Sequence, residues 1–311
     1  MIVVLTGGTG GAKFVQGLQQ LIPPEELTVI VNTGDDLIWW GLHVSPDIDS
    51  IIYALASILS TERGWGIEGD TFFCLERMRQ LGASSWFQIG DRDLATHLQR
   101  MQLLREGKSL TNATAEIANS FAVRSRILPM SDDRVETRVA TSVGELSFQE
   151  YFVRERYQVQ VHGIEFVGVS AAQPAPGVLD AIASADVVFI APSNPITSIG
   201  PILAIAEIRN ALKHTPAPVL AISPIVGGAP ISGPAGALMQ AQGLPVSIEG
   251  VARCYGDFLD LLIIDSQDAA SARLELPGIE TVCANTIMRN LEDKIALARV
   301  ALDAAGALVQ T

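Results

Sequence analysis

The chain has 311 residues, of which 48% are hydrophobic and 18% charged, so its composition is that of a folded globular protein and excludes a disordered chain. The formal net charge of −13 argues against nucleic acid as a partner, because no basic patch offsets the repulsion from a phosphate backbone. No apolar stretch approaches the roughly 20 residues that a membrane span needs, and the N-terminal run resembles no signal peptide. We therefore expect a cytoplasmic protein that does not associate with membranes.

Short β-branched runs ending in polar or glycine-rich loops recur along the chain. They cover residues 2–6, 27–36, 185–195, 217–228 and 259–265. Continuous apolar runs of this length, followed by helical patterns, are typical of strands buried on both faces. The sequence therefore predicts an α/β fold: a doubly wound, mostly parallel, Rossmann-like sheet with ligands beyond the carboxyl ends of its strands.

The region between the second and third runs differs in character. Helical spacing dominates residues 50–128 and predicts a mostly helical insertion, whereas residues 134–155 alternate around a glycine and predict a hairpin. We expect residues 1–311 to form a single α/β domain with this inserted subdomain. The apolar composition permits a homodimer without indicating one.

The first predicted strand runs into a loop with four glycines in five residues. The residues of interest are Gly7, Gly8, Thr9, Gly10, Gly11 and Lys13. The loop is not a Walker A motif, and it departs from the dinucleotide fingerprint because Lys13 replaces the third glycine. Backbone N–H groups free of Cβ atoms can still approach an anion at the following helix N-terminus, so we favour a phosphate or nucleotide site over a plain tight turn.

Acidic residues follow the second predicted strand. Asp35 and Asp36 end it, and Asp47 and Asp49 stand in the motif "SPDID". Carboxylates beside a phosphate loop are the usual ligands of Mg²⁺, which predicts that Asp47 and Asp49 bind metal. The alternative is that both aspartates lie at a helix N-terminus, where their negative charges interact favourably with the helix dipole. On a helix, the two side chains would point in different directions.

Three further segments contain candidate binding residues. In "GDRD", the planar guanidinium of Arg92 could bind a phosphate or stack on a flat ring. The alternative is a helix N-terminus with an aspartate cap, in which Arg92 forms only a surface ion pair. Trp65 is either a stacking surface or an ordinary cap residue. The loops 191–201 and 223–236 follow predicted strands and contain hydroxyl, amide and glycine groups suited to a nucleotide. The candidates in them are Ser193, Asn194, Thr197, Ser198 and Gly227.

Several blocks of this sequence resemble the 2-phospho-L-lactate transferase family, which makes the deazaflavin coenzyme F-420. The blocks are "LTGGTGGAKFVQGL", "VNTGDD", "SPDIDS", "WGIEGDTF", "GDRDLATH", "LPMSDD", "APSNPITSIGPIL", "SPIVGGAPISGPAG" and "DFLDLLIID". The resemblance spans nearly the whole chain. It implies that a GDP-activated phospholactate, or a phosphoenolpyruvate or phosphoglycerate equivalent, donates its phospho-acid to the ribityl hydroxyl of the deazaflavin Fo. GMP leaves, and Mg²⁺ assists.

The same resemblance implies roles for individual residues. The loop from Gly7 to Lys13 would bind the nucleotide diphosphate together with the "PSNPITSIG" and "SPIVGG" loops. Asp47 and Asp49 would act at the metal and the Fo hydroxyl as catalytic residues. Arg92, with Asp49 and Trp65, would contact Fo.

Two other functions are weighed against this one. A regulatory protein of the gluconeogenesis-factor type shares the glycine-rich start and the paired aspartates, and binds a nucleotide sugar without transferring anything. The sequence here continues "DDLIWWGLHVSPDID", which departs from the glycine- and serine-rich stretch typical of that family. An NAD-dependent dehydrogenase is disfavoured by the broken fingerprint.

Overall fold

A computed structural model describes residues 1–270 and 279–309 of the chain. Its strands are β1 (Ile2–Thr6), β2 (Leu27–Val31), β3 (Leu37–Trp39), β4 (Leu42–Val44), β5 (Arg126–Pro129), β6 (Glu136–Thr141), β7 (Gly144–Ser147), β8 (Val161–Val167), β9 (Val187–Ile190), β10 (Val219–Ile222), β11 (Ile225–Val226), β12 (Ala229–Pro230), β13 (Leu261–Asp265) and β14 (Glu280–Ala284). Its α-helices are α1 (Thr9–Leu18), α2 (Pro46–Leu55), α3 (Phe73–Gln80), α4 (Asp91–Arg105), α5 (Leu110–Ser120), α6 (Val178–Ala183), α7 (Gly200–Ala204), α8 (Ala206–His214), α9 (Ala235–Ala241), α10 (Ile248–Tyr255) and α11 (Leu291–Val309).

A seven-stranded sheet forms the centre of the fold, in the order β14-β13-β10-β9-β1-β2-β5, and every pairing in it is parallel. Side chains of β1 alternate between two cores: Val3 and Leu5 belong to one, Ile2 and Val4 to the other. Because a strand presents successive side chains to opposite faces, a sheet covered on both faces requires continuous apolar runs. The predicted doubly wound α/β fold is confirmed.

The chain leaves β1 towards β2 on one side, whereas β9 lies on the other side of β1. This reversal of strand order opens a crevice at the carboxyl ends of β1 and β9, where open α/β sheets bind ligands. Both the glycine-rich loop and the loop after β9 begin at this crevice.

Helices α2 to α5 lie between β4 and β5, within the region expected to be mostly helical. The end of that region, β5, is the edge strand of the central sheet and pairs with β2. No helix among the described residues combines the length and apolar character that crossing a membrane requires.

The segment 134–155 contains the antiparallel strands β6 and β7. Residues 150–154 are a short helical turn rather than strand, and β8 adds a third strand against β6. The helical turn places Phe152 in the lining of the cavities at the crevice, which alternation along the sequence alone could not indicate.

Candidate functional site

Two adjoining cavities, each of about 440 Å³, open at the carboxyl ends of the central strands. We call them the strand-end cavity, which lies over the glycine-rich loop and the loops after β9 and β10, and the aromatic cavity, which lies against α2 and α4. The residues that line both are Gly8, Thr9, Asp47, Phe148 and Phe152. The two cavities therefore meet at these residues, among which Asp47 alone has an ionisable side chain.

Most of the residues predicted for a nucleotide site line the strand-end cavity. They are Gly8, Thr9, Gly10, Lys13, Ser193, Asn194, Thr197 and Ser198. Gly7 and Gly11 lie immediately behind this wall. Arg289, which the sequence did not indicate, adds a second cationic side chain beside Lys13.

The glycines of the first loop allow close packing around the cavity. A Cβ on Gly10 would lie 2.2 Å from the carbonyl oxygen of Pro192, and one on Gly8 would lie 2.6 Å from Asp47 Oδ1. Similarly, Ser198 approaches Gly7, and Thr6 approaches Gly11, more closely than a Cβ would permit. The glycines thus bring the loop after β9 and the Asp47 carboxylate against the start of α1.

The N-cap residue of α1 is Gly8, which has no side chain of its own to cap the helix. The first N–H groups of an α-helix have no acceptor within the helix, and they carry the positive end of its dipole. An anion in the strand-end cavity would find these donors together with Lys13.

Gly227, which the sequence predicted to bind the nucleotide, is the one predicted residue of the two later loops that does not line the strand-end cavity. It lies outside the lining of the strand-end cavity, in the two-residue turn between β11 and β12, where Gly227 and Gly228 have φ of +60° and +78°. Two consecutive residues with positive φ form the tight hairpin turn that glycine favours. The cavity wall comes instead from the following residues, 230–235.

Asn32, at the carboxyl end of β2, joins the acidic residues to the loop after β9. Its Nδ2 group lies 2.9 Å from Asp47 Oδ2, 3.1 Å from Asp35 Oδ2 and 3.2 Å from the carbonyl oxygen of Thr197. Asn32 stands in the block "VNTGDD", but its residue type and position in the sequence did not mark it as part of the site.

The acidic residues around Asn32 hold their protons unusually tightly. Burial raises the pKa of Asp47 to about 7, against the opposing effect of hydrogen bonds from Asn32 and the Gly8 backbone. Burial, and then the charge of Asp47, raise the pKa of Asp35 well above its ordinary range. Burial also raises the pKa of Asp36, although His43 and Ser45 bond to its carboxylate. Near neutral pH, Asp47 can therefore exchange a proton.

Asp47 and Asp49 both lie in α2, and their side chains diverge as the helical alternative required. Asp49 is buried and paired with Arg100: Nη1 of the arginine lies 3.1 Å from Asp49 Oδ2, and Nη2 bonds to Oδ1. His97 lies beside this pair, with Nδ1 3.3 Å from Arg100 Nη1. Asp49 lines the aromatic cavity, but its charge is already compensated, whereas Asp47 lines both cavities.

Among the described residues, no group of three His, Cys, Asp or Glu side chains could hold a metal by itself. Mg²⁺ is commonly held by one or two carboxylates, with waters and substrate phosphates completing the shell. Asp35 and Asp47 both line the strand-end cavity and fit such a role. Asp49 does not line that cavity.

The aromatic cavity presents flat surfaces. Its ring-bearing lining residues are Tyr53, Trp65, Trp86, Phe87, His97, Phe148 and Phe152. Trp65 is backed by Arg63, whose guanidinium carbon lies 5.4 Å from the indole centroid. Trp39, outside the lining, packs edge-on against Trp86 at 4.8 Å between ring centroids.

The "GDRD" segment begins α4, and its acids take part in reciprocal capping. Asp91 accepts from the backbone N–H groups of Phe73 and Cys74 at the start of α3, both at 2.9 Å. Asp70, in the loop before α3, accepts from Arg92 N at 2.8 Å and Asp93 N at 3.0 Å at the start of α4. Thus Asp91, the first residue of α4, caps α3, and Asp70, in the loop before α3, caps α4.

The Arg92 side chain is exposed, and its Nη1 donates to the carbonyl oxygen of Glu68 at 3.3 Å. It is not among the residues that line either cavity, although Asp93 next to it lines the aromatic cavity. The buried arginine near the site is Arg100. Helical spacing could have shown that Arg100 follows His97 on one face of α4, but not that Asp49 lies opposite it.

The fold and these cavities define a Rossmann-like α/β protein with adjoining ligand sites at the switch point of its sheet. Comparison with known proteins narrows this class.

The chain belongs to the 2-phospho-L-lactate transferase CofD family, whose family model matches residues 2–291, and it is therefore a transferase. It is 43% identical to the 2-phospho-L-lactate transferase of Methanosarcina mazei over 304 residues, which cover 97% of this chain and 100% of the relative. It is 46% identical to the enzyme of the same name from Methanosarcina acetivorans, with 96% of each chain covered. The phosphoenolpyruvate transferase of Streptomyces griseus is 44% identical, with 98% of each chain covered.

Among solved structures, the chain resembles a Bacillus halodurans protein of the UPF0052 family. The TM-score is 0.67 and the sequence identity 17%, with 97% of this chain and 98% of that chain covered. At this identity, the likeness concerns the fold alone.

Proposed function

We propose that this protein transfers a phospho-acid from a GDP-activated donor to the ribityl hydroxyl of the deazaflavin Fo and releases GMP, in the biosynthesis of coenzyme F-420. The phospho-acid is 2-phospho-L-lactate, or a phosphoenolpyruvate or phosphoglycerate equivalent. The observation that carries the proposal is the meeting of two cavities, each of about 440 Å³, at Asp47. A transfer between two bound substrates requires both to reach one reacting position.

The donor occupies the strand-end cavity in this proposal. A nucleoside diphosphate is anionic, and the groups that suit it there are Lys13, Arg289 and the N–H groups at the start of α1. The polar loop residues Ser193 and Asn194 add hydrogen-bonding groups for the nucleotide. These features supply a favourable site for phosphates in a chain with a net charge of −13.

The acceptor Fo occupies the aromatic cavity, where Trp65, Trp86 and Phe87 offer stacking surfaces for a flat ring. The ribityl chain would extend towards Asp47. Asp49 lines the same cavity and, held by Arg100, can accept a hydrogen bond from the acceptor. Arg92 remains a proposed contact for the part of Fo nearest the start of α4.

Asp47 is the proposed general base. The ribityl oxygen attacks the phosphorus that carries the acid, the bond from that phosphorus to the bridging oxygen breaks, and GMP leaves with the electron pair. Asp47 accepts the hydroxyl proton, and burial gives it a pKa of about 7, near the pH at which proton transfer is most useful. The protein needs no covalent intermediate, because such transfers depend on positioning and charge neutralisation.

Mg²⁺ belongs to the proposal as an assisting ion. Asp35 would hold it together with the donor phosphates, which leaves Asp47 free to accept the proton. When bound, the ion would neutralise negative charge on the diphosphate. Asp49, paired with Arg100, contributes to acceptor binding rather than to this shell.

The test is incubation of the purified protein with Fo and each of the three GDP-activated donors, with and without Mg²⁺. We expect release of GMP and a phospho-acid–Fo product in mass spectrometry with at least one donor. Absence of product with all three would refute the proposal. Tight binding of a UDP-sugar in calorimetry, without turnover, would instead support the regulatory alternative.

A further inference from the structure

Asn32 is completely buried, and both polar atoms of its side-chain amide form hydrogen bonds. The Nδ2 group donates to Asp47, Asp35 and the Thr197 carbonyl at 2.9, 3.1 and 3.2 Å, while Oδ1 accepts from the Gly34 backbone N–H at 2.8 Å. The side chain therefore connects the end of β2, the start of α2 and the loop after β9.

The Gly34 bond determines which way the Asn32 amide faces. A backbone N–H can only donate, so the group opposite Gly34 must be the carbonyl oxygen Oδ1. The two N–H bonds of Nδ2 are then shared among three acceptors, the two carboxyl groups and the Thr197 carbonyl, so one of these bonds is bifurcated. Gly34 is itself closely packed, since a Cβ there would lie 2.9 Å from Pro201 Cβ.

Asn32 lines neither cavity, whereas Asp47, to which it donates, lines both. An effect of Asn32 on bound substrates must therefore pass through its hydrogen-bond partners. The carboxylates of Asp35 and Asp47 both accept from the same Nδ2 group, through Oδ2 in each case. Without this donor, both carboxyl groups would lose the hydrogen bond that fixes them to the end of β2.

From this geometry, we propose that Asn32 is a positioning residue that holds the Asp47 carboxylate in the orientation required at the meeting point of the two cavities. The inference rests on the proposed function, because it concerns the residue that receives the proton in the transfer. A displacement of the reacting group by about 1 Å can cost about 100-fold in rate, even when substrates still bind. Loss of the Asn32 donor should thus lower kcat and leave substrate binding intact.

The test is a double-mutant cycle of Asn32→Asp and Asp47→Asn, with kcat and KM measured for the donor and for Fo, and GDP binding measured by calorimetry. Asn32→Asp keeps the shape of the side chain and removes both N–H donors. In the wild-type background, we expect kcat to fall by about 100-fold, with KM and the Kd for GDP changed less than about threefold. In the Asp47→Asn background, the same change should lower kcat by less than about threefold, because the residue through which Asn32 acts is already lost.

Asn32→Ser removes the amide donor without adding a charge, so it separates the effect of losing the donor from the effect of an added carboxylate. If Asn32→Asp does not fold, Asn32→Ser takes its place in the cycle. Asn119→Asp, on the exposed face of α5, is the matched control and should change neither kcat nor KM. Additive losses in an active enzyme, or a rise in KM with kcat intact, would overturn the inference and leave the proposed function standing. A wild-type protein without transfer activity would overturn both.

Discussion

Arg100 and Asp49 form a buried ion pair, with the arginine side chain fully inaccessible and the carboxylate 5% exposed. The pair lies only two residues along α2 from Asp47, whose carboxylate faces both cavities. The two aspartates, which the sequence presents as equals, therefore have different energetic roles. Substitution of each should separate stability from turnover.

Asp49→Asn should destabilise the fold. Removing one partner of a buried ion pair leaves the other charge uncompensated, which costs about 3–5 kcal/mol. Chemical denaturation of the variant measures this loss. Asp257→Asn is the matched control, because the Asp257 pair with Arg209 is about one-third exposed on both sides and should cost less than about 1 kcal/mol. Equal losses at the two positions would contradict the prediction.

Asp47→Asn should reduce turnover without comparable loss of stability. A general base contributes about 10²- to 10⁴-fold to a rate, so we expect kcat to fall at least 100-fold. Stopped assays of GMP release and thermal unfolding of the same samples make the comparison. A variant that unfolds more easily while its remaining folded fraction turns over normally would show that Asp47 is a structural residue.

The stability of the protein should depend on pH through Asp47. Because burial raises its pKa to about 7, the folded state binds this proton more tightly than the unfolded chain does. The stability contributed by Asp47 is therefore fully present below the unfolded pKa of about 3.9 and is lost as the pH rises through 7. The difference in unfolding free energy between Asp47→Asn and wild type should therefore change with pH. It should shift in favour of the variant by on the order of 2 kcal/mol from pH 5 to pH 8.

Denaturant titrations at both pH values, without added metal or nucleotide, measure that difference. The charge of Asp47 also raises the pKa of Asp35, so the difference between the two proteins reports the titration of the Asp35–Asp47 pair rather than of Asp47 alone. A pH-independent difference between wild type and variant would contradict a raised pKa for Asp47.

Gly10→Ala should destabilise the protein and weaken donor binding. The new Cβ would lie 2.2 Å from the Pro192 carbonyl oxygen, so α1 and the loop after β9 must separate, at a cost of about 1–3 kcal/mol. Gly306→Ala in α11 is the control, since nothing lies within 4 Å of its Cβ position. It should stabilise the helix by about 0.5–1 kcal/mol. Thermal unfolding should show a lower Tm for Gly10→Ala and a higher Tm for Gly306→Ala. Calorimetry should show altered GDP binding for Gly10→Ala alone.

Trp65→Ala should weaken binding of Fo specifically. Stacking of aromatic rings contributes about 0.5–1.5 kcal/mol beyond burial, so the Kd for Fo should rise several-fold or more, with GDP binding unchanged. Fluorescence titration with Fo measures the effect. Trp40→Ala serves as the control, because Trp40 lies outside the cavity lining and its indole donates to the Ser84 carbonyl at 2.9 Å. Equal losses would place Trp65 outside the acceptor site.

Local sequence patterns were sufficient for five of the seven strands of the central sheet and for much of the strand-end cavity, but they indicated neither β5 nor β14. Five apolar runs predict strands because a strand buried on both faces needs apolar side chains at consecutive positions, which is a local feature of the sequence. Likewise, the loops after β1 and β9 could be anticipated as neighbours, since parallel strands bring their carboxyl ends to one edge. Lys13, Ser193 and Asn194 lie where this reasoning expected them.

Only the tertiary structure distinguished Asp47 from Asp49, separated Arg92 from the cavities, and brought Asn32 and Phe152 to the site. Asp49 is paired because Arg100 approaches it from 51 residues away, and Asp70 and Asp91 cap each other's helices across the chain. Such contacts depend on the packing of separate elements, so residue type and spacing do not encode them locally. The sequence by itself determined the fold and the family. The contact between Arg100 of α4 and Asp49 of α2 decided which of the two carboxylates is paired with an arginine and which is not.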